Sequence, residues 1–389
     1  MKLRCERDIL RDALGVVSRA AQSTSAGGAQ VLSCVQFVLE GDKLRLTATD
    51  RERTVRVEAD VLGMGDGSCL LPASLTTDIV RSLDPGAVTV ESDEEGARIN
   101  AGHSQFSVRT YPEEEFPALP VVGGEALSLD GRELAEALRQ VVRAAAKGED
   151  RPASLSAVHL QAGERGLRLE ATDSYRLAQR DLVGTTVLGE GEQVLVPART
   201  LEELQRLLSA STGVAALPPP SEGQGGGGRT VRLRVAESYA TFEVGSVVLM
   251  TQLVNQTFPN TASLFPPSYP NRLLVGKDPL LDGLRRMRLL TQEDRSPAVR
   301  LSLGGPEGLQ LSSTDPERGQ ASEEVDAKYE GSELKIAFNP RYLMEGVEAV
   351  QGDEVLIEMG EPTKPAMVSG GEGDPYRYLI MPIMPPRYG

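Results

Sequence analysis

The sequence predicts an α+β fold built from three copies of one unit. Three observations predict it: a strand ending in Thr-Asp that occurs three times, a proline landmark that keeps step with it, and helices alternating with strand runs in every copy. The strand copies are Lys43-Leu44-Arg45-Leu46-Thr47-Ala48-Thr49-Asp50, Gly166-Leu167-Arg168-Leu169-Glu170-Ala171-Thr172-Asp173 and Gly308-Leu309-Gln310-Leu311-Ser312-Ser313-Thr314-Asp315. Each alternates apolar and polar residues, as a strand with one buried face does, and ends on a good turn former. The three aspartates are 123 and 142 residues apart.

The proline landmark is Leu71-Pro72-Ala73, Val196-Pro197-Ala198 and Asn339-Pro340-Arg341, with prolines 125 and 143 residues apart. Each is expected to open a helix, because the missing N–H of proline costs nothing in a first helical turn. A third landmark, Phe116-Pro117, Phe258-Pro259 and Met381-Pro382, closes each copy after a long β stretch. These spacings predict units at residues 1–122, 123–267 and 268–389, each with two helices. Apolar periodicity places the leading helices near 7–21, 130–147 and 278–291, and the second helices near 73–83, 199–209 and 340–350. Asp130 with Glu133 reads as a capping box, and Asp278-Pro279 and Asn339-Pro340 read as a capping side chain before an N1 proline. The Pro/Gly-rich stretch at 217–228 reads as a solvated loop inside the second unit; with neither a Lys-Ser/Thr nor a helix after it, it does not read as a phosphate loop.

Composition narrows the function. At 389 residues, 40% hydrophobic and 25% charged, the chain can bury several cores, which excludes a disordered or fibrous protein. No apolar run reaches a membrane span and the N-terminus lacks a secretory pattern, so a cytoplasmic protein is expected. Cys5, Cys34 and Cys69 form no CxxC pair and read as buried free thiols. With only His103 and His159 as histidines, neither a metal centre nor a Ser-His-Asp centre is expected, nor any cofactor or catalytic residue.

The formal charge of −15 argues against a nucleic-acid partner only if the charges are evenly mixed. Leu134, Leu138, Val141, Val142 and Ala145 form an apolar stripe, while Arg139, Arg143 and Lys147 fall on the opposite face. Arg7, Arg11, Arg199, Arg206, Arg285 and Arg286 likewise fall away from apolar faces, and acidic clusters lie elsewhere, as at Glu113-Glu114-Glu115. These nine basic residues are the expected DNA-facing set, suited to sequence-independent contact with a phosphate backbone. On one helix alone, such a stripe reads equally well as solvated surface.

The segment Leu169-Glu170-Ala171-Thr172-Asp173-Ser174-Tyr175-Arg176-Leu177-Ala178 resembles the Thr-Asp-x-x-Arg-Leu-Ala motif of the bacterial DNA polymerase III β-subunit family, the β sliding clamps. Tyr378-Leu379-Ile380-Met381-Pro382-Ile383, Phe258-Pro259, Phe116-Pro117, Met1-Lys2-Leu3 and Ala101-Gly102-His103-Ser104-Gln105-Phe106-Ser107 are similar to the family as well, so the resemblance covers essentially the whole chain. It implies clamp domains forming half of a closed ring, a homodimer around double-stranded DNA, and a non-catalytic processivity factor. It also implies a pocket where polymerase, clamp loader and repair proteins dock short linear motifs, comprising Thr172, Tyr175, Arg176, Leu177, Pro259, Leu264, Leu379, Met381, Pro382 and Ile383. From spacing alone Leu177, Leu379 and Met381 serve equally as core residues, and Arg176 as an ion-pair residue. At the ring seam the resemblance sets Phe106 against Leu289 and Leu290 of the neighbouring subunit. The run Asn260-Thr261-Ala262-Ser263-Leu264-Phe265-Pro266 and the tail Met384-Pro385-Pro386-Arg387-Tyr388-Gly389 depart from the family pattern, which points to a specialised copy with altered pocket selectivity. A three-domain interaction scaffold that does not encircle DNA is the alternative.

Overall fold

In the computed structural model each repeated segment forms the strand its alternation calls for: Lys43–Thr49, Gly166–Thr172 and Gly308–Asp315. Each pairs antiparallel with the strand that follows it, Arg53–Asp60, Arg176–Val183 and Gly319–Val325. The structure describes residues 1–22, 30–120, 122–148, 150–185, 188–189, 192–210, 230–266, 268–291, 297–305 and 308–383. The loop at 217–228 and the tail at 384–389 lie outside the described residues.

The Thr-Asp pair closes the hairpin the same way in the first two copies. Thr49 Oγ1 donates to the Arg53 carbonyl, and Asp50 Oδ1 accepts from the amides of Glu52 and Arg53. Thr172 Oγ1 donates to the Arg176 carbonyl, and Asp173 Oδ1 accepts from the amides of Tyr175 and Arg176. The next residue turns left-handed in both, Arg51 at φ 76° and Ser174 at φ 77°. In the third copy Pro316 stands there and its ring forbids positive φ, so only the Asp315 bonds to Glu317 and Arg318 persist.

Six α-helices occur among the described residues: α1 Arg7–Val17, α2 Ala73–Ser82, α3 Gly131–Val141, α4 Ala198–Ser209, α5 Lys277–Arg288 and α6 Pro340–Ala349. The first and third end earlier than periodicity predicts. A 3₁₀ turn follows each, Ser18–Ala20 and Val142–Ala144, and tightens the last carbonyls into i→i+3 bonds. Ala145 is then extended and the Ala146 amide goes to the Leu155 carbonyl, so Lys147 lies beyond the helix rather than on its face. Asp130 Oδ1 caps α3 through the amides of Arg132 and Glu133, and Asn339 Oδ1 caps α6 ahead of Pro340. Asp278 does not cap α5. That helix already begins at Lys277, with Gly276 as its N-cap, and Pro279 is accommodated within the first turn. Pro72 is the N-cap of α2 and Pro197 ends a strand; of the three landmark prolines, only Pro340 is inside a helix.

The chain divides into two compact units, Met1–Ala135 with Arg199–Leu253, and Glu136–Ala198 with Val254–Gly389. In the first unit a five-stranded sheet runs in the order Leu62–Gly65, Lys2–Glu6, Ala87–Asp93, Gly96–Ala101, Ser104–Val108. An eight-stranded sheet runs Leu127–Asp130, Thr230–Val235, Tyr239–Val244, Val247–Gln252, Arg53–Asp60, Lys43–Thr49, Cys34–Glu40, Gly67–Pro72. Leu10, Ala13, Leu14 and Val17 of α1 are buried, each large one stabilising by about 1.5–3 kcal/mol.

The second unit has a nine-stranded sheet in the order Gln193–Pro197, Ala157–Gly163, Gly166–Thr172, Arg176–Val183, Tyr376–Ile380, Ala366–Ser369, Glu354–Met359, Asn271–Gly276, Ala327–Glu330. Its four-stranded sheet runs Gly319–Val325, Gly308–Asp315, Val299–Gly305, Leu334–Phe338. Strands of the second repeat join both large sheets: Val247–Thr251 pairs with Arg53–Val57, and Arg176–Arg180 pairs with Tyr376–Ile380. Pairing across repeat boundaries leaves fewer strand edges open, so the compact units do not coincide with the repeats.

Candidate functional site

The turn after the second Thr-Asp feeds the strand Arg176–Val183, which pairs in register with the C-terminal strand: Arg176 opposite Ile380, Leu177 opposite Leu379, Gln179 opposite Arg377. Side chains alternate across a sheet, so this register sorts the expected pocket residues by face. Thr172, Leu177 and Leu379 share one face. Arg176 and Tyr378 belong to the other, against α6.

Arg176 is held on that helix side. It is 6% exposed, and its Nε donates to Asp173 Oδ2 at 3.0 Å, one terminal nitrogen to Glu345 and the other to the Arg143 carbonyl at 2.5 Å. Its guanidinium lies 4.3 Å from the Tyr342 ring centre. Burial works against its charge, but the fields of Tyr378 and Glu345 outweigh burial and raise its pKa. Burial also pushes up the Tyr378 hydroxyl, which donates to the Tyr342 carbonyl at 2.8 Å. A Cβ at Gly346 would stand 2.5 Å from the Tyr378 ring, so a glycine at this point of α6 lets the ring lie against the helix. Tyr175 and Arg176 line a cavity of about 500 Å³ with Arg143, Lys147, Arg341 and Glu345.

On the opposite face the Phe258-Pro259 segment borders a second cavity, of about 400 Å³. The His159 ring stacks on Phe258 with centroids 4.7 Å apart. Leu264, in the 3₁₀ turn Ala262–Leu264, is exposed, as are Pro259, Tyr175 and Met381. The Met381 amide donates to the Tyr175 carbonyl at 2.8 Å and the Ile383 amide to the Ala337 carbonyl at 2.7 Å, which ties Met381 to the turn and Ile383 to the strand Leu334–Phe338. The structure therefore groups Thr172, Leu177 and Leu379 on one sheet face and fixes Tyr175 next to the tail.

A row of residues that sequence reading passed over adjoins Leu177 and Leu379. Glu170, Gln179 and Arg377 follow at two-residue steps on the same face, with His159 opposite Glu170. Glu170 Oε1 accepts from Gln179 Nε2 at 2.8 Å and Thr261 Oγ1 at 3.2 Å, and His159 Nε2 is 2.8 Å from Gln193 Oε1. Burial lowers the Arg377 pKa, and its guanidinium lies 4.6 Å from the Phe265 ring centre. The signal available in the sequence was Glu170 itself, a carboxylate in the middle of a repeat strand, but its partners depend on a register the sequence does not show.

The nine basic residues are less free than helical spacing implies. Arg7 is mostly covered, pairs with Asp8 and donates to the Leu83 carbonyl. Arg11 pairs with Asp8 and Asp12, Arg199 with Asp50 and Glu52, and Arg206 with Glu203. Arg139 is half-buried, pairs with Glu136 and donates to the Glu348 and Ala349 carbonyls. Arg143 and Arg285 share Glu348, and Arg286 pairs with Glu323. Lys147 is exposed. Arg143, Arg199, Arg206, Arg285 and Arg286 keep about half their side chains in solvent. Phe106 sits half-buried on Ser104–Val108, an edge strand; Leu289, at the end of α5, is 76% exposed and Leu290 half-buried.

A three-repeat α+β chain with paired sheets, two helices per repeat and a sheet face bordered by a Phe-Pro segment and the C-terminal strand defines the clamp class. Family signatures match in chain order: DNA polymerase III beta subunit N-terminal domain at residues 1–120, central domain at 128–218 and C-terminal domain at 262–384. The beta sliding clamp of Streptomyces coelicolor is 31% identical over 98% of this chain and 99% of its own length, and that of Staphylococcus aureus is 29% identical over 91% and 92%. Among solved structures, the DNA polymerase sliding clamp of Bacillus subtilis superposes with a TM-score of 0.87 at 25% identity, covering 99% of each chain. A sliding clamp from Bartonella birtlesii bound to griselimycin gives 0.89 at 27% identity, covering 99% and 100%. This chain belongs to the bacterial DNA polymerase III beta subunit family, the beta sliding clamps.

Proposed function

We propose that this chain is a non-catalytic processivity factor that closes as a homodimer around duplex DNA in the cytoplasm and tethers the replicative polymerase. The observation that carries the reading is the three-repeat clamp fold, matched over 98% of the chain by a sliding clamp relative. The three domains, near 1–122, 123–267 and 268–389, present weakly basic helix faces to the DNA. Contact through Arg143, Lys147, Arg199, Arg206, Arg285 and Arg286, most of them sharing their charge with a carboxylate, is loose and sequence-independent, as sliding requires. Arg7, Arg11 and Arg139 act mainly to hold their helices.

Short linear motifs of polymerase, clamp loader and repair proteins dock on the face carrying Thr172, Leu177 and Leu379, walled by Pro259, Leu264, Met381, Pro382 and Ile383. Tyr175 stands at its edge, and Arg176 positions the strand from behind. Apolar walls around a few polar groups are what a peptide anchor needs. Phe106 of one subunit meets Leu289 and Leu290 of the other at the seam. The experiment is retention on DNA: loaded onto a nicked circle, the protein stays through gel filtration in about 0.5 M salt, where the Debye length falls to roughly 4 Å, and is lost when the circle is linearised. Equal retention on linear DNA defeats the proposal.

A further inference from the structure

The cavity beside Phe258-Pro259 has a polar floor, made by the row that continues the docking face past Leu177 and Leu379. Gln179 is 2% exposed and lines this cavity together with Glu170, His159, Arg168 and Arg377. Its Nε2 donates to Glu170 Oε1 at 2.8 Å, which fixes the amide orientation, because the reverse rotamer would set two acceptors against each other. Gln179 Oε1 is consequently turned away from Glu170, buried and, among the described residues, without a hydrogen-bond partner. A buried acceptor left unmade is costly, and a ligand that supplies a donor recovers that cost.

Charge at the cavity narrows the donor. The lining carries both signs, Arg168 and Arg377 beside Glu170, so a charged head of either sign meets a like charge as well as an opposite one, whereas a neutral donor meets no repulsion at the depth of Gln179. We infer that this cavity is an anchor subsite for a peptide side chain that is neutral and carries an N–H or O–H donor, and that Gln179 selects it over an aliphatic side chain of the same shape. The inference rests on the peptide-docking reading of the adjoining face. The exposed Pro259 and Leu264, with Leu177 and Leu379 buried beneath the same face, take the apolar part of the peptide, and Gln179 reads the neighbouring residue through its lone pairs. Thr261, whose hydroxyl donates to Glu170 Oε1, keeps the Phe258–Phe265 segment closed over the subsite.

The test uses the full-length protein and a displayed library of random heptapeptides. The tightest peptide whose binding is abolished by Leu264→Asp, a change at an exposed wall of the site, is remade with Thr and with Val, which have the same shape, at each position in turn. At one position the Thr peptide is expected to bind about fivefold or more tightly than the Val peptide by fluorescence polarisation. In Gln179→Met that preference falls to parity or inverts, while peptides altered elsewhere keep their affinities. A wild-type protein that binds Val as well as Thr at every position overturns the inference and leaves peptide docking standing; this comparison needs no variant at Gln179. Peptides that bind regardless of Leu264→Asp overturn the docking reading and the inference with it.

Discussion

Arg176 shows how one side chain can hold a site without facing it. Its bonds to Asp173, Glu345 and the Arg143 carbonyl join the turn, α6 and the end of the α3 segment. Arg176→Ala strips the buried Asp173 and the partly buried Glu345 of their cation, so a loss of about 3 kcal/mol is expected in urea unfolding, well above that for Tyr175→Ala at the exposed edge. A loss below about 1 kcal/mol would make the ion pairs incidental. The cysteines make a second residue-scale case. Burial pushes the Cys5, Cys34 and Cys69 thiols up to about 11, leaving roughly one thiolate in a thousand at pH 8. Ellman's reagent should label the native protein slowly and the urea-unfolded protein at once; a fast native phase contradicts their burial.

At the scale of elements, α3 is tied down at its C-terminal end. Arg139 bonds Glu136 and two carbonyls near the end of α6, and the Arg139 hydrogen bond holds the Glu136 carboxyl below its ordinary 4.5. A depressed carboxyl contributes stability that is complete above the unfolded pKa and is lost as pH falls through the folded one. Urea midpoints should therefore drop below about pH 4.5, and Glu136→Gln should flatten part of that acid limb by about 0.5–1 kcal/mol. An unchanged acid limb would assign the loss to other groups. Leu289 makes the complementary case at the end of α5, exposed where a soluble helix has no need of leucine. Leu289→Asp is expected to shift sedimentation from dimer toward monomer with Tm unchanged within about 2 °C, since no packing inside the subunit is removed. A dimer as tight as wild type would move the seam elsewhere.

For the whole molecule, the charge of −15 and the carboxylate partners of its arginines bear on how DNA is held. Direct binding to linear duplex should be weak, with a Kd on the order of 10⁻⁴–10⁻⁵ M near physiological salt, because few cations are free to displace counterions. Nanomolar binding to linear DNA by fluorescence anisotropy would mean that basic contacts, not enclosure, supply retention. The threefold repeat, the six helices and the free thiols were all legible from periodicity, caps and composition, since each depends on neighbours within a few residues. The same local signals overran the ends of α1 and α3 and placed a cap at Asp278, because i→i+3 tightening and the choice of first helical turn depend on what the neighbouring chain accepts.

The site separates the two kinds of information most sharply. Thr172, Asp173 and the strand that follows could be read in sequence because alternation and Asx-turn chemistry are properties of the segment itself. That Leu177 meets Leu379 and not Ile380, that Arg176 turns to the helix side, and that Glu170, Gln179 and Arg377 form one row were decided by the pairing of strands nearly 200 residues apart. A shift of one residue in that register would exchange the two faces. The sequence determined which segments are strands, helices and turns, and to what family they belong; the tertiary structure decided which side chains face one another, because register is set by the sheet as a whole.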